Sequence, residues 1–453
     1  MAEIVIPRVG ARRRGLPLLL GLALLSTSAH CLFTGLDDYS SGGGRPQGDG
    51  GPPEDAPPDA PPPSDAGCDC GPAEACVLGA CRQCTPTWIA EHKALRQGEV
   101  IITNHHLDRA ARTLYVSSSR QDGQGPRRGY LAEVDTCAGA SLAVSDGAMV
   151  EGKLVPGLLY LSPHQGSLYA KLQVAGEAVL GGYARYDPAS HTFDRIVELP
   201  PFMGGAEGAW SFLVGPSGRA YWWGDWSTGT STPLGMRATA EGKTCVEDYP
   251  AHVGGTGRAM TRSGKDIYAA VCMPVEKEVR VLRFDDTACD LAGCDCPVAE
   301  ELPPLSLPGA ANVMNMKVAG SVLLVAGFTM ATDTDWSGFL AQYSFGAKQW
   351  SSVFTYDEGA LAEGFSALDS DDSFVYAAGF RGYVYGDTTN TLSDVFVFPF
   401  PITAASTPQR IPVPAVRAAF ALDLDGDGMI LSGYSAASAA DGRSVRCTLT
   451  GCP

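Results

Sequence analysis

The sequence feature that most constrains the fold is a short pattern that recurs about every fifty residues. Each copy is a run of β-branched or aromatic residues that ends in small residues. The seven copies are LYVSSS from Leu114, LYAKLQ from Leu168, AYWWGD from Ala220, IYAAVC from Ile267, LLVAGF from Leu323, VYAAGF from Val375 and MILSGY from Met429. Their start-to-start spacings lie between about 47 and 56 residues, a period that is typical of folds built from repeated supersecondary units.

A second strand-like segment follows most of these copies at a similar offset. These segments are GYLAEVD from Gly129, GYARYD from Gly182, VRVLRFD from Val279, GFLAQYS from Gly338 and DVFVFPF from Asp394. Alternating and β-branched residues indicate strands, and clusters of Asp, Gly and Ser indicate the turns between them. No helical periodicity of useful length follows Arg96.

A repeat near fifty residues with about four strands per unit predicts an all-β fold, a β-propeller of seven four-stranded blades over residues 98–453. Six or eight blades also fit the spacing, and one or two β-sandwiches are the alternative fold. Each blade would bury its faces against two neighbours, and closure of the ring would remove the sheet edges. We expect EVIITN, Glu99 to Asn104, to complete the last blade and close the ring.

The N-terminus, residues 1–30, has the pattern of an export signal peptide. A positive region contains Arg8 and the run from Arg12 to Arg14, and the apolar core GLPLLLGLALL extends from Gly15 to Leu25. This apolar core is too short to span a bilayer comfortably. Since no later segment is long and apolar enough to span, we expect contact with the membrane through a lipid anchor only.

Cys31 follows the signal core and resembles a bacterial lipoprotein processing site, at which the cysteine thiol takes a diacylglycerol. The sequence departs from the usual pattern, because Ser28 stands where a Leu-like residue is usual and His30 where Gly or Ala is usual. The resemblance implies a protein of the cell envelope, anchored in the outer membrane and facing the surface or the periplasm. Cleavage after Ala29, with release of a secreted protein, is the alternative.

Residues 31–67 are predicted to be a disordered tether rich in Pro and Gly, because they have almost no apolar side chains to bury. A cysteine-rich collar, residues 68–97, follows and has so few core-forming residues that it needs covalent staples. Export favours disulfides over zinc, which is the alternative at these cysteines. The candidate disulfide residues, whose pairing the sequence does not reveal, are Cys68, Cys70, Cys76, Cys81, Cys84, Cys289, Cys294, Cys296, Cys447 and Cys452.

Two stretches resemble known propeller repeats. The segment AVLGGYARYDPASHTFDRIVELP, from Ala178, resembles a kelch blade through its Gly-Gly pair, its Tyr-Asp-Pro and a later aromatic residue. A segment from Ser321 is similar to a bacterial extracellular propeller repeat, and the matching residues are Gly327, Phe328, Gly346 and Trp350. These resemblances imply a propeller with an extracellular binding role but no fixed ligand. With the tether and the collar, the chain resembles bacterial surface lipoproteins.

Four of the seven tryptophans lie close together, the last three of them in the segment YWWGDW. Alternate positions of a strand face opposite sides, so one side would pack between blades and the other would be open to a ligand. Aromatic faces beside a carboxylate suit a sugar or a peptide, which makes Trp222, Trp223, Trp226 and Asp225 the candidate ligand-binding residues. Core packing of the tryptophans between blades is the alternative.

The segment DLDGDG places Asp423, Asp425 and Asp427 at alternate positions, a spacing that can wrap carboxylate oxygens around Ca²⁺. A helix-loop-helix calcium loop needs a glutamate where this sequence has Tyr434, and an integrin-like propeller loop would have an aspartate at Leu431. An Asx-rich hairpin turn is therefore the alternative. No cofactor other than this possible Ca²⁺ is predicted.

The chain has a formal net charge of −17 and no basic stripe, so nucleic acid is not a predicted partner. No G-x-S-x-G or H-E-x-x-H motif occurs, so no catalytic residue is assigned. His105 and His106 would point apart in an extended chain, which disfavours a shared metal. The sequence favours a binding module for an extracellular glycan or protein. A propeller hydrolase or lyase acting on polysaccharide and a structural component of an envelope complex are the alternatives.

Overall fold

The computed structural model describes residues 74–77, 80–92, 99–121, 127–173, 182–198, 206–227, 231–238, 244–289, 296–332, 335–359, 362–382, 391–403, 406–426, 428–435 and 441–453. The sequence predictions that lie outside these residues are the signal peptide, the tether, Cys31, Cys68, Cys70, Cys294 and Asp427. The predicted site residues for which the structure describes the backbone but not the side chain are Cys76, Cys81, Asp225 and Trp226.

Most of the described chain forms β-strands, which we number in chain order. The first nine strands are β1 (Glu74–Val77), β2 (Ala80–Gln83), β3 (Trp88–His92), β4 (Glu99–Asp108), β5 (Thr113–Gln121), β6 (Arg127–Asp135), β7 (Ser141–Asp146), β8 (Met149–Val150) and β9 (Lys153–Leu154). The next strands are β10 (Gly157–His164), β11 (Ser167–Gln173), β12 (Gly182–Asp187), β13 (Thr192–Glu198), β14 (Ala206–Val214), β15 (Ala220–Ser227), β16 (Ser231–Ala238) and β17 (Thr244–Asp248).

A turn of 3-10 helix at Pro250–His252 leads into the second half of the described chain. Its strands are β18 (Thr256–Ser263), β19 (Asp266–Met273), β20 (Glu278–Asp285), β21 (Val298–Glu301), β22 (Leu305–Ser306), β23 (Ala310–Ala319), β24 (Val322–Thr332), β25 (Asp335–Ser344) and β26 (Gln349–Tyr356). The last strands are β27 (Glu363–Ser370), β28 (Phe374–Arg381), β29 (Leu392–Pro399), β30 (Gln409–Pro412), β31 (Val416–Asp425), β32 (Gly428–Ser435) and β33 (Gly442–Thr448).

Consecutive strands pair antiparallel to form the sheets. Sheet 1 contains β4–β7, sheet 2 β10–β13, sheet 3 β14–β17, sheet 4 β18–β22, sheet 5 β23–β26, sheet 6 β27–β30, and sheet 7 β31–β33 together with β3. The seven repeated sequence segments are the second strands of these sheets, and the five segments that follow them are third strands. Six sheets have four strands, whereas sheet 4 has a fifth because β22 pairs with β20. The prediction of four strands in every blade is therefore wrong for sheet 4, which has five.

The first strands of the sheets form a closed ring. β4 contacts β10, and the contacts continue through β14, β18, β23 and β27 to β31, which contacts β4 again. Sheets that radiate from such a ring make a β-propeller, so the prediction of an all-β propeller is confirmed. The sandwich alternative is wrong, because a sandwich stacks two sheets face to face and has no ring of inner strands.

Sheet 7 is assembled from both ends of the described chain. β3 is its outer strand and pairs with β33 in a register that places His92 opposite Gly442. β3 alternates buried and exposed residues, with Trp88 buried, as a strand on the flank of a core does. The prediction that Glu99–Asn104 completes the last sheet is wrong, since these residues begin β4 in sheet 1. The sheets thus begin inside the range 68–97 that the sequence assigned to the collar.

The small residues that end the repeated segments have a structural cause. In every sheet the pairing of the first and second strands contains a β-bulge or an equivalent register shift. The bulge pushes a carbonyl of the first strand towards the second strand. A Cβ at Gly327 would collide with the Asn312 carbonyl oxygen, and a Cβ at Gly433 would collide with that of Ala418.

The core is divided into layers between neighbouring sheets. Each interface, including the one between sheets 7 and 1, contains its own cluster of buried apolar side chains. Because every sheet is covered on both faces, its strands are apolar on both sides, as they are in the repeated segments. No helix within the described ranges is long and apolar enough to cross a membrane.

Candidate functional site

The tryptophans predicted to bind a ligand lie in the core. Trp222 is 1% exposed and packs between sheets 2 and 3, with its ring centroid 5.2 Å from that of Phe212. Trp223 is 2% exposed and packs between sheets 3 and 4, where its Nε1 donates a hydrogen bond to the Ala270 carbonyl at 2.7 Å. Both faces of β15 are covered, so neither ring can stack on a sugar. The cavity beside them is about 20 Å³, which holds at most a water molecule.

The aspartates of DLDGDG contact protein groups. Asp423 accepts a hydrogen bond from the Leu107 N–H at 3.1 Å, and Asp425 accepts one from the Arg446 Nε at 2.9 Å. Within the described ranges, no three His, Cys, Asp or Glu side chains are grouped so that they could hold a metal ion. Since Asp427 lies outside these ranges, the calcium site stays a prediction.

Three disulfides are described completely. Cys84 pairs with Cys137 across 53 residues, Cys289 with Cys296 across 7, and Cys447 with Cys452 across 5. Cys245, which the sequence did not single out, is also disulfide-bonded. The first of these bridges links the segment before β3, in sheet 7, to the turn between β6 and β7, in sheet 1. It therefore crosses the seam at which the ring closes.

A chain of buried hydrogen bonds also crosses this seam. The His92 Nε2 lies 2.8 Å from the Ser444 Oγ, which lies 2.6 Å from the Ser432 Oγ, and that hydroxyl lies 2.6 Å from the His105 Nδ1. All four side chains are buried. Burial lowers the pKa of His92 to about 4 and, together with the neighbouring histidines, that of His105 to about 3. Both histidines are therefore neutral at pH 7. The hydrogen-bond chain links β4 of sheet 1 to β32, β33 and β3 of sheet 7.

The other nitrogen of His105 faces a carboxylate. Its Nε2 lies 3.5 Å from Asp423 Oδ2, so Asp423, His105 and Ser432 have the residue types of a hydrolytic triad. Ser432 is completely buried between strands, however, and no substrate can reach its hydroxyl. We therefore interpret this group as a structural element of the seam.

A cluster of charges joins the ends of four inner strands. Lys317 is ion-paired with Asp369, which accepts a hydrogen bond from the Leu424 N–H at 2.7 Å. Asp369 also lies 3.8 Å from the Arg109 guanidinium. Burial, and then the negative charge of Asp369, raise the pKa of Asp423 well above the usual range for an aspartate. The cluster balances its charges within the protein, which favours a role in joining sheets 5, 6, 7 and 1.

A cavity of about 370 Å³ with a polar lining lies at the same ends of the inner strands. It lies between the first turns of sheets 1 and 2 and reaches a side chain of sheet 4. Its polar and aromatic lining includes His106, Asp108, Arg109, Tyr115, His164 and Arg262. Sheets 1 and 4 are not neighbours in the ring, so the cavity opens towards the centre of the propeller.

The cavity is rich in cations for an acidic chain. Asp108 is its one carboxylate among the described lining residues, and its Oδ1 accepts hydrogen bonds from the Ala110 and Ala111 N–H groups at 2.9 Å each. Burial, and then the nearby Arg262 cation, lower the pKa of His164, so this imidazole is neutral at pH 7. Two guanidiniums and the imidazole rings of His106 and His164 thus face the open volume.

The sequence did not single out Arg109, His164 or Arg262. No motif joins these residues, because they lie on different sheets and meet only through the ring. The one relevant signal is His105–His106: as expected, the two side chains point apart, and His106 faces the cavity while His105 faces sheet 7.

No protein-family model and no curated protein matches this chain. A solved structure that it resembles is the WD40 domain of Pan2 from Neurospora crassa, with a TM-score of 0.45 and 9% sequence identity over 77% of this chain and 88% of that chain. A likeness this distant carries no argument about function. The assignment as a β-propeller rests on the sheet order and the closed ring of inner strands.

Proposed function

We propose that this chain is an exported protein of the cell envelope, anchored through a lipid on Cys31, and that its propeller binds an extracellular ligand in the cavity of about 370 Å³. The observation that carries the proposal is the lining of this cavity, which combines half-buried guanidiniums with aromatic rings. Ligand pockets of proteins have this size and mix apolar walls with a few convergent polar groups. The resemblance to kelch and bacterial extracellular repeats supports an extracellular binding role.

A glycan fits this cavity better than a protein surface does. The opening is concave and compact, whereas protein interfaces usually bury about 800 Å² on each partner over a broad patch. His106 and His164, which are half-buried, offer ring faces on which the apolar face of a sugar can pack. We therefore propose a glycan as the ligand, and a protein partner is an outcome of the test.

Binding is favoured over hydrolysis by the carboxylates. Glycoside hydrolases generally use two carboxyl groups on either side of the scissile bond. Asp108 is the one described carboxylate of the cavity lining, and it caps its own turn. The described part of the cavity therefore lacks an acid–base pair.

The test is a glycan array probed with the exported chain carrying Cys31→Ser, which removes the predicted lipid. Ala110 is an exposed residue of the cavity rim, so Ala110→Trp should fill the opening and abolish binding. Asp372→Trp is the control, because Asp372 is exposed on the corresponding turn of sheet 6 and does not line the cavity. Binding that survives Ala110→Trp would place the ligand elsewhere. A blank array with folded protein would contradict the proposal of a glycan.

The anchor is tested separately by fractionation of cells that express the protein. The wild-type chain should sediment with membranes and be released by detergent, and Cys31→Ala should shift it to the soluble fraction. Equal membrane association of the two forms would contradict lipidation at Cys31.

A further inference from the structure

Arg262 has an unusual position for an arginine. It lies on β18 in sheet 4, is half-buried, and donates one hydrogen bond from Nη1 to the Val214 carbonyl of sheet 3 at 2.9 Å. Burial lowers the pKa of its guanidinium, although the group stays charged. None of the carboxylates that the structure describes forms an ion pair with it. Arg262 lines the cavity, so the rest of its guanidinium can donate hydrogen bonds to a ligand there.

Many other arginines of the propeller are paired with a carboxylate. Examples are Arg185 with Asp194, Arg283 with Asp266, Arg410 with Asp394 and Arg446 with Asp425. Asp286 interacts with the Arg262 charge at longer range. Its carboxylate accepts hydrogen bonds from the Ser217 hydroxyl at 2.7 Å and from the Tyr221 hydroxyl. A partly desolvated cation without a direct ion pair is costly, and an anionic ligand in the cavity would supply the missing partner.

A second guanidinium faces the same cavity. The Arg109 Nε donates to the Leu424 carbonyl at 2.8 Å, and its Nη2 lies 3.8 Å from Asp369, so its head group is held in place. Its side chain is 31% exposed. Two fixed guanidiniums at one cavity attract a negative charge, and Arg binds a planar carboxylate through two parallel hydrogen bonds.

We infer that the cavity takes a sugar residue that bears a carboxylate, a uronate, and that Arg262 is the main residue that binds this carboxylate. The inference rests on the proposed function and adds the charge of the ligand. A single negative charge matches the site, since His164 is neutral at pH 7 and Asp108 would repel a second charge. The aromatic rings that face the cavity would contact the sugar ring.

The experiment measures binding of a glucuronate-containing oligosaccharide, its neutral analogue, a sulfated analogue and a short peptide with a free C-terminus by titration calorimetry. The Cys31→Ser chain is used throughout. We expect the uronate to bind at least tenfold more tightly than the neutral sugar, with the difference reduced at high salt. Arg262→Met should remove this preference, and Arg262→Lys should retain only part of it, because lysine lacks the planar fork. Arg195→Met on β13 is the control and should change nothing.

A stability measurement shows whether Arg262 is structural. If Arg262 binds the ligand, Arg262→Met removes an uncompensated charge, and the Tm of the unliganded protein should stay equal or rise. A lower Tm together with unchanged uronate binding would overturn the inference. Equal binding of uronate and neutral sugar would overturn it while leaving the proposed glycan function intact. Tighter binding of the sulfated sugar or of the peptide would overturn the uronate assignment, and no binding of any probe would overturn both proposals.

Discussion

The bridge between Cys84 and Cys137 should carry much of the stability of the closed ring. It joins sheet 7 to sheet 1 and closes a loop of 53 residues. In the chain-entropy description of disulfides, a loop of this length stabilises the folded state by about 4 kcal/mol. The bridge between Cys447 and Cys452 closes a loop of 5 residues close to residue 453. It should contribute only about 2 kcal/mol to the stability of the folded state.

The assay compares two double variants, Cys84→Ala/Cys137→Ala and Cys447→Ala/Cys452→Ala, in guanidinium unfolding followed by tryptophan fluorescence. Each variant removes both thiols of one bridge, so no unpaired cysteine is created by the change. We expect the seam variant to lose about 2 kcal/mol more than the C-terminal variant. Its backbone amides in β3 should also exchange hydrogen faster, because β3 then loses its nearby covalent link to sheet 1 and is held by non-covalent contacts, among them its pairing with β33 and the packing of Trp88.

An equal loss of stability in Cys84→Ala/Cys137→Ala and Cys447→Ala/Cys452→Ala would contradict this prediction. The prediction would also be refuted if exchange in β3 stayed as slow as in wild type. Either result would mean that the strand pairing and the buried chain from His92 to His105 close the ring without help from the disulfide.

Three further predictions follow from the same geometry. Trp222→Ala should lower the free energy of unfolding by about 3–5 kcal/mol in a urea titration, because it empties a core position, yet ligand binding at the cavity should persist in the folded fraction. Stability should fall as the pH drops below 6.5, since unfolding lets His92 and His105 take up protons that their lowered pKa values of about 4 and about 3 exclude in the fold; each contributes up to about 1.4 kcal/mol per pH unit. The raised pKa of Asp423 acts in the opposite direction. The measurement is therefore the pH dependence of the free energy of unfolding, compared between wild type and His92→Gln. Equal slopes for the two proteins would contradict the prediction. Uronate affinity should increase below pH 6.5 as His164 gains a proton beside the bound anion, and His164→Gln should remove this increase in calorimetric titrations.

The repeat made the fold predictable from local signals. The strand pattern of segments such as VYAAGF and MILSGY depends on β-branching, alternation and turn residues, all of which are written within a few positions of the chain. Even the small residue that ends these segments, such as Gly433, is a local mark of the bulge opposite it. That all seven segments are the second strands of their sheets is shown by the structure.

The ring closure was not predictable in the same way. The sequence suggested Glu99–Asn104 as the closing strand because this strand-like segment lies before the first repeat. The pairing of Trp88–His92 with β33 joins residues about 350 positions apart, so no local pattern reports it. The tryptophans of YWWGDW misled for a related reason. Sequence alternation indicates two sides of a strand, but only the ring shows that both sides face another sheet.

The sequence by itself determined the class of the molecule: a repeated all-β chain with strands, turns and cysteines at recognisable positions. Tertiary structure alone decided which side chains share a site. Arg109, His164 and Arg262 lie on sheets 1, 2 and 4, and each is an ordinary polar residue at a strand end when the chain is read linearly. They face one cavity because closure of the ring brings the same end of every inner strand to a common centre. Strand formation is encoded by neighbours in sequence, whereas this convergence depends on contacts between sheets.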